Sequence, residues 1–581
     1  MKITLAILVS LLCVWGGAAH ASDVTPEYDV QDKLILKTRD GATVSGMLVR
    51  RTDGALTLPT ALQFTIYVRP ERDLASLKEI ADRGYVAMIA YSRGKYLSPD
   101  DIVPYEHDGK DAWDVIDWIS RQAWSNGAVG MFGGSYNGFT QWAAAKSLHP
   151  ALKTIVPYVA NRPGMGLPME NNVFINPNYQ WAFYVGNNKT LDTAVNDDRN
   201  RFRNMQTEWW NRGGAYRSID KVDGTPNPML QRWLKHPSYD TYWQAMAPYK
   251  NDFAQIRIPV LSVEGYFNDS QVSGVNYLRE HMRYIPNAQH YLIIGPYGHF
   301  GAQRGGEKII NGLEVPAAAL IDVKAITYEW LDYILKNGPR PAILKDKINY
   351  QVMGTDQWRS APSLYAMSNQ TLKLYLDNVP LSPSAKNGNR RLSAIAPRKT
   401  AYLKQVVDFK DREKSHNDYY PDSIITEAID TSSGFIFVSE PFEEAMLYNG
   451  AFGGEIIARI NKRDFDLGVT MYELRPDGKY FHLSYVINRA SYAKDPTRRV
   501  LLTPGKIESI PIGMNKIASK RLDKGSRLVV YLNVNKNPFS QLNYGTGKDV
   551  SDETIADANE RLNVEWSNQS YVTVPILREV P

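Results

Sequence analysis

A serine, an aspartate and a histidine, each just beyond an apolar run, carry the first chemical signal in this chain. Ser135 lies in Gly133-Gly134-Ser135-Tyr136-Asn137-Gly138, between the apolar Ala128-Val129-Gly130-Met131-Phe132 and a stretch of helical character from Tyr136 to Leu148. A strand that turns at once into a helix forces its turning residue onto a tight elbow. The side chain there projects clear of the backbone, and the helix N-terminus can stabilise developing negative charge. A serine hydroxyl in that position becomes a nucleophile when a base takes its proton and a carboxylate holds the base in the right tautomer. Asp269 follows the buried-strand pattern Ile258 to Gly265, and His299 follows Tyr291 to Gly295 in the loop Pro296-Tyr297-Gly298-His299. All three residues stand where strands run out, the edge at which open parallel sheets bind ligands.

Each residue has rivals. A serine between glycines also marks ordinary turns, and Asn137 stands where the second glycine of G-x-S-x-G belongs, with Gly138 one residue later. Asp240, Asp252 and Glu264 compete with Asp269, although Glu264 falls within the strand and the other two precede it. Among the nine histidines, His149 precedes Pro150 at a helix end, His290 opens a strand, His236 lies in a polar loop, and His107, His281, His416 and His482 show no partner pattern. His20 falls in the N-terminal targeting segment. The chain order Ser, Asp, His is the one used by α/β-hydrolases.

The elements that must position these residues alternate between strand and helix. Strand patterns run over 33–38, 43–49, 62–68 and 85–91, with helices over 74–83 and 108–122. In the second helix Ala112, Val115, Ile116 and Ile119 form one apolar face. This alternation predicts an α/β unit with a largely parallel sheet. Between 161 and 246 the period breaks down, and Trp181, Trp209, Trp210, Trp233 and Trp243 crowd among Asn, Gly and Pro. So long a loop without structure is unusual, so a mainly helical cap is expected there, its tryptophans chiefly core. The sheet resumes at Ile258, and 323–337 reads as its last long helix. Beyond 350 short strand patterns recur over 371–376, 435–440, 455–460, 468–474, 480–488, 527–533 and 570–576, with Pro476-Asp477-Gly478 as a turn and a weak helix at 551–561. The expectation is a β-sandwich, as a jelly roll. The domain plan is then 1–21 signal peptide, 22–160 α/β-hydrolase domain, 161–246 helical cap, 247–349 second part of the α/β-hydrolase domain and 350–581 jelly-roll domain.

With 581 residues the chain exceeds the ~250–300 residues at which single cores stop growing. Its 43% hydrophobic and 22% charged content is that of an ordinary globular protein. The net charge of +5 is scattered without a basic run, which speaks against nucleic acid. Met1-Lys2, an apolar core from Ile3 to Trp15 and Ala19-His20-Ala21 predict a secretory signal cleaved after Ala21, and a periplasmic or secreted protein. Cys13, the single cysteine, falls inside that signal, so the mature chain forms no disulfide. No later apolar stretch is long enough to cross a membrane.

These residues resemble the X-Pro dipeptidyl-peptidase, cocaine esterase and α-amino acid ester hydrolase family of serine hydrolases, over nearly the whole mature chain. Gly133-x-Ser135-Tyr136-x-Gly138 matches the family's displaced-glycine elbow. Gly109-Lys110-Asp111-Ala112-Trp113-Asp114, Ser92-Arg93-Gly94 and His236-Pro237-Ser238-Tyr239-Asp240 look like its preceding helix, its Arg-Gly loop and the end of its cap. Gly265-Tyr266-Phe267-Asn268-Asp269 matches the acid loop with one residue inserted, and Gly295-Pro296-Tyr297-Gly298-His299 matches the histidine loop. The resemblance implies an oxyanion hole made of the Tyr136 backbone N–H and the hydroxyl of Tyr67. It also implies acidic contacts to a substrate ammonium just after the triad acid. Ser270-Gln271-Val272 stand there instead, leaving Glu170 in the cap as the surviving candidate for substrate binding.

The expected function is a secreted serine hydrolase that cleaves an ester or amide acyl bond in a small molecule through an acyl-enzyme, without metal or organic cofactor. Ser135, Asp269 and His299 are the expected catalytic residues, and the sequence leaves room for a homo-oligomer. The alternatives are an X-Pro dipeptidyl-peptidase-like enzyme and, from another class, a carbohydrate-binding protein with a relic hydrolase domain.

Overall fold

In the computed structural model, which describes residues 27–381, 388–413, 419, 421–430 and 432–578, ten strands between Tyr28 and Ala361 form one mixed sheet. The signal peptide expected over 1–21 lies outside the described residues. The strands of the N-terminal half are β1 (Tyr28–Lys37), β2 (Thr43–Arg51), β3 (Leu58–Thr65), β4 (Val86–Tyr91), β5 (Ser125–Gly134) and β6 (Leu152–Tyr158). A small hairpin, β7 (Met169–Glu170) and β8 (Val173–Phe174), stands apart from them. The sheet continues with β9 (Val260–Gly265) and β10 (His290–Gly295). After a second small hairpin, β11 (Ile309–Ile310) and β12 (Leu313–Glu314), it ends with β13 (Ile348–Gln351) and β14 (Trp358–Ala361). The order is β1-β2-β4-β3-β5-β6-β9-β10-β13-β14. From β4 through β13 the neighbours are parallel, while β1, β2 and β14 are antiparallel at the edges. The last two strands lie at or past residue 348.

Parallel strands are covered on both faces and so read as continuous apolar runs. All six residues of β4, Val-Ala-Met-Ile-Ala-Tyr, are buried. The covering helices include α1 (Pro70–Ala81), α2 (Asp108–Ser120) and α3 (Tyr136–Lys146). In α2 the expected face of Ala112, Val115, Ile116 and Ile119 is buried. In α3 every residue from Phe139 to Ala145 is buried, the mark of a helix enclosed on all sides.

Residues 161–246 are mainly helical, with α4 (Pro177–Gly186), α5 (Thr193–Asp197), α6 (Arg199–Arg212), α7 (Ile219–Asp223), α8 (Pro228–Trp233) and α9 (Thr241–Met246). Trp209, Trp210, Trp233 and Trp243 are buried, whereas Trp181 is only half-buried. The sheet's remaining helices are α10 (Gln271–Tyr284), the short α11 (Gly301–Arg304) and α12 (Val323–Lys336).

From Gln370 to Leu577 the described regular structure is β apart from single 3-10 turns. The expected strands are found within a few residues of their predicted ends, and Gly478 turns with φ 85° between two of them. Strands at Tyr402–Val407, Met446–Gly450, Ile507–Pro511, Ala518–Leu522 and Leu562–Ser567 were not expected, although Leu562, Val564 and Trp566 alternate with Asn563 and Glu565 in the last of them. The helix expected at 551–561 is two 3-10 turns, Val550–Asp552 and Ile555–Ala558. The Thr554 side chain and Asp557 close a capping box on the second, and an extended strand follows at once.

Candidate active site

Parallel register brings the ends of β3, β5, β9 and β10 to one edge. Gly134 pairs with Tyr158, Tyr158 with Val263, and Gly265 with Gly295. The strand leading to Ser135 is thus one strand removed from that leading to Asp269, and β9 and β10 are adjacent.

Ser135 has φ 62° and ψ −120°, a conformation that non-glycine residues adopt at a cost of about 1–3 kcal/mol and that persists when the surroundings over-determine it. The surroundings here are specific. The Ser135 N–H donates to the Tyr158 carbonyl at 3.0 Å, and its own carbonyl accepts from Gly138 and Phe139 at 3.0 and 3.1 Å as α3 begins. A Cβ on Gly138 would lie 2.8 Å from both Cα and Cβ of Ala160, so the glycine is needed where α3 crosses the chain leaving β6. Asn137, in place of the usual glycine, packs its side chain against Gly133, where an added Cβ would lie 2.8 Å from the Asn137 Cβ.

Tyr67 lies just past β3. Its N–H donates to Thr65 Oγ1 at 3.0 Å, and its hydroxyl accepts from the Trp181 indole N–H at 3.2 Å. Burial raises the Tyr67 phenol above its ordinary value, against hydrogen bonds from Ser135 and Trp181. The phenol therefore keeps its proton at neutral pH and remains a donor. Tyr136 is split between backbone and ring. Its amide opens α3, while its buried hydroxyl donates to Asp108 Oδ2 at 2.7 Å and accepts from the Tyr105 N–H at 2.9 Å. Asp108 also accepts from Ser92 Oγ at 2.6 Å. Burial lifts its carboxyl to about 6 although both hydroxyl bonds oppose the rise.

His299 Nδ1 lies 2.9 Å from Asn268 Oδ1 and 3.2 Å from Asp269 Oδ1. Both partners are acceptors, so Nδ1 carries the hydrogen and, in the neutral ring, Nε2 has the lone pair. Burial acts to raise the Asp269 carboxyl, but the His299 charge and hydrogen bond, the Lys516 charge and the Ser270 N–H hold it at about 2. Ser270 N donates to Asp269 Oδ1 at 2.7 Å. Gln303 ties the histidine loop to the elbow: its Nε2 donates to the His299 carbonyl at 2.9 Å, and its side chain fills the space that a Cβ on Gly134 would occupy.

The competing residues have structural partners. Asp252 pairs with Lys146 at 3.2 Å and caps Tyr249 N, while Glu264 accepts from Asn268. Asp240 caps α9 and meets His236 Nδ1 at 2.7 Å, with the His236 ring stacked 4.0 Å from that of Tyr242. His281 and His290 face each other through their Nδ1 atoms at 3.1 Å in the core, and burial lowers both. Glu170, in β7, is buried. Its carboxylate accepts from the Tyr485 hydroxyl at 3.4 Å, and that hydroxyl also accepts from Lys516. Burial lowers the Lys516 ammonium to about 8, against the pull of Glu170 and Asp269.

Asn268, Trp181, Asp108, Gln303 and Lys516 were not singled out in the sequence as parts of a site. Asn268 had a visible signal, a polar side chain beside Asp269 at a strand end. Trp181 and Lys516 had none, because only folding brings the cap and the C-terminal domain to this edge.

Residues 40–301 match the family model of the X-Pro dipeptidyl-peptidase (S15 family). Residues 344–573 match that of the X-Pro dipeptidyl-peptidase C-terminal non-catalytic domain. The chain is 23% identical to a cocaine esterase from Rhodococcus sp. (strain MB1 Bresler), an alignment covering 96% of this chain and 100% of that one. Among solved structures it resembles an aminopeptidase from a marine sediment Thaumarchaeota archaeon, with TM-score 0.78, 18% identity and coverage of 97% and 99%. It also resembles an α-amino acid ester hydrolase, with TM-score 0.75, 21% identity and coverage of 96% and 98%.

Proposed function

We infer the chemistry from one premise: the chain belongs to the X-Pro dipeptidyl-peptidase and cocaine esterase family and is a serine hydrolase. We propose that it cleaves ester or amide acyl bonds through an acyl-enzyme on Ser135. Ser135 Oγ attacks the carbonyl carbon as His299 takes its proton. The tetrahedral oxyanion accepts from Tyr67 and from the Tyr136 amide. Its collapse expels the alcohol or amine, which receives the proton from His299, and water repeats the sequence to release the acid. Asp269 supports the imidazolium. The observation carrying this reading is the left-handed Ser135 elbow, at φ 62°, on the edge where His299 Nδ1 meets Asp269 at 3.2 Å. Ser135→Ala is expected to abolish turnover and labelling by a fluorophosphonate with the melting temperature retained. Turnover by that variant would refute the nucleophile.

Of the two acyl-transfer readings, the acyl esterase or acylase is favoured over the X-Pro dipeptidyl-peptidase. Glu170, the candidate for reading a substrate ammonium, is buried against Tyr485 and has its charge answered by Lys516 from this same chain. Aryl esters and simple acyl amides are expected to turn over faster than aminoacyl-proline amides; the reverse ranking would favour the peptidase. Export is the third element of the proposal, resting on the N-terminal sequence. Sequencing the protein recovered outside the cytoplasm should begin at Ser22, and a mature protein beginning at Met1 would exclude it.

A further inference from the structure

The histidine of this site has two acceptors on one nitrogen, and their surroundings differ. Asn268 is fully buried, whereas about a third of the Asp269 side chain is exposed. The shorter contact, 2.9 Å, is to Asn268. An amide has a donor end and an acceptor end, and here the donor end is committed. Asn268 Nδ2 donates to Glu264 Oε2 at 2.9 Å and lies 3.2 Å from Ser270 Oγ, so Oδ1 is left to face the imidazole. The anchor is itself enclosed. A Cβ on Gly274 of α10 would lie 1.6 Å from Glu264 Oε1, so glycine there makes room for the carboxyl. Burial raises Glu264 well above the usual carboxylate range, against hydrogen bonds from Asn268 and the backbone of Gly265 and Ala160. Glu264 thus holds the amide by a hydrogen bond, while burial disfavours a second charge under the ring.

We propose that orientation and charge are divided at this site: Asn268 is the positioning residue that fixes the His299 ring and tautomer, and Asp269 supplies the negative charge. This rests on the serine-hydrolase reading above. Most catalytic aspartates do both jobs, and replacing one by Asn loses about 10⁴ in kcat because the amide presents the wrong end. In this chain the amide already present has its end fixed by Glu264, so losing the Asp269 carboxylate leaves the tautomer intact. The charged and titratable groups facing the pair are His299, Glu264 and Lys516, the last coming from the C-terminal domain.

The test compares full-length Asp269→Asn, Asn268→Ala and Asn268→Asp with wild type on p-nitrophenyl butyrate from pH 5 to 9. Melting temperature and fluorophosphonate stoichiometry serve as controls. Asp269→Asn is expected to lose less than about 10³-fold in kcat, against the ~10⁴-fold of an ordinary triad, with the acidic limb of kcat/KM moved to lower pH as the imidazolium loses its carboxylate. Asn268→Ala is expected to lose more in kcat than Asp269→Asn, at similar KM. Should that variant fail to fold, near-isosteric Asn268→Asp decides: a carboxylate touching Nδ1 must move the acidic limb to higher pH. A thousand-fold loss in Asp269→Asn, or an Asn268→Asp profile that superimposes on wild type, overturns the division. A wild-type enzyme that resists fluorophosphonate, or one labelled away from Ser135, overturns instead the serine reading beneath it.

Discussion

The Ser135 elbow and the loops that carry Asp269 and His299 share one sheet edge but are built differently. The backbone of residues 133–138 is held chiefly within a strand, the helix it enters and the chain of one neighbouring strand, Ser135 to Tyr158 and Gly138 against Ala160, with Gln303 of the histidine loop packed on Gly134. The acid and histidine loops are held by groups from all over the chain. The Gln271 side-chain amide donates to the Ile517 carbonyl at 3.0 Å and accepts from the Ile517 N–H at 2.7 Å, and the Tyr266 hydroxyl donates to the Gln351 carbonyl at 2.7 Å. A local device is fixed by its own sequence; a distributed one can be re-divided, as Asn268 and Asp269 illustrate.

Substitutions can break or sharpen that contrast. The largest loss is expected from the elbow itself: Ser135→Ala should lower kcat by on the order of 10⁶-fold, measured with burst-free aryl ester kinetics. Tyr67→Phe removes the proposed oxyanion donor without touching the elbow backbone and should lower kcat by roughly 10²–10³-fold, about 2.7–4 kcal/mol, with fluorophosphonate labelling slowed but complete. Gly138→Ala forces a Cβ onto Ala160 and should destabilise by about 1–3 kcal/mol in urea melts. Full stability in that variant would mean that the elbow is not locally over-determined.

The smallest effect is expected from the distributed side. Lys516 loses its proton as the pH rises through about 8. Asp269 then loses a positive neighbour, and kcat/KM should fall by about two- to threefold above that pH, a small electrostatic change. Stability should move the other way. From about 8 to the ordinary lysine value of about 10.4 the unfolded chain holds the proton that the folded chain has released, so folding becomes more favourable as the pH rises. Lys516→Met, unable to titrate, should flatten both profiles. A wild-type rate constant across pH 8 would detach the C-terminal domain from the acid loop's chemistry.

The sequence by itself carried the α/β alternation, the β character of the C-terminal half and the three strand-end residues, because these are short-range patterns: apolar runs, periodicity and Gly/Pro loops repeat along the chain whatever lies across from them. It also carried the elbow, since a strand entering a helix within two residues leaves one place for the serine. It did not carry the partner of the His299 ring. The inserted residue in the acid loop left Asn268 and Asp269 as adjacent polar side chains, and which one meets Nδ1 depends on Glu264, Ser270 and Gly274 closing around the amide. Nor did it carry Trp181 beside Tyr67 or Lys516 beside Glu170, which arrive from the cap and the far domain. Those contacts are decided by packing between distant segments, and hydrogen-bond direction in a buried site is set by what encloses each group rather than by its neighbours in the chain.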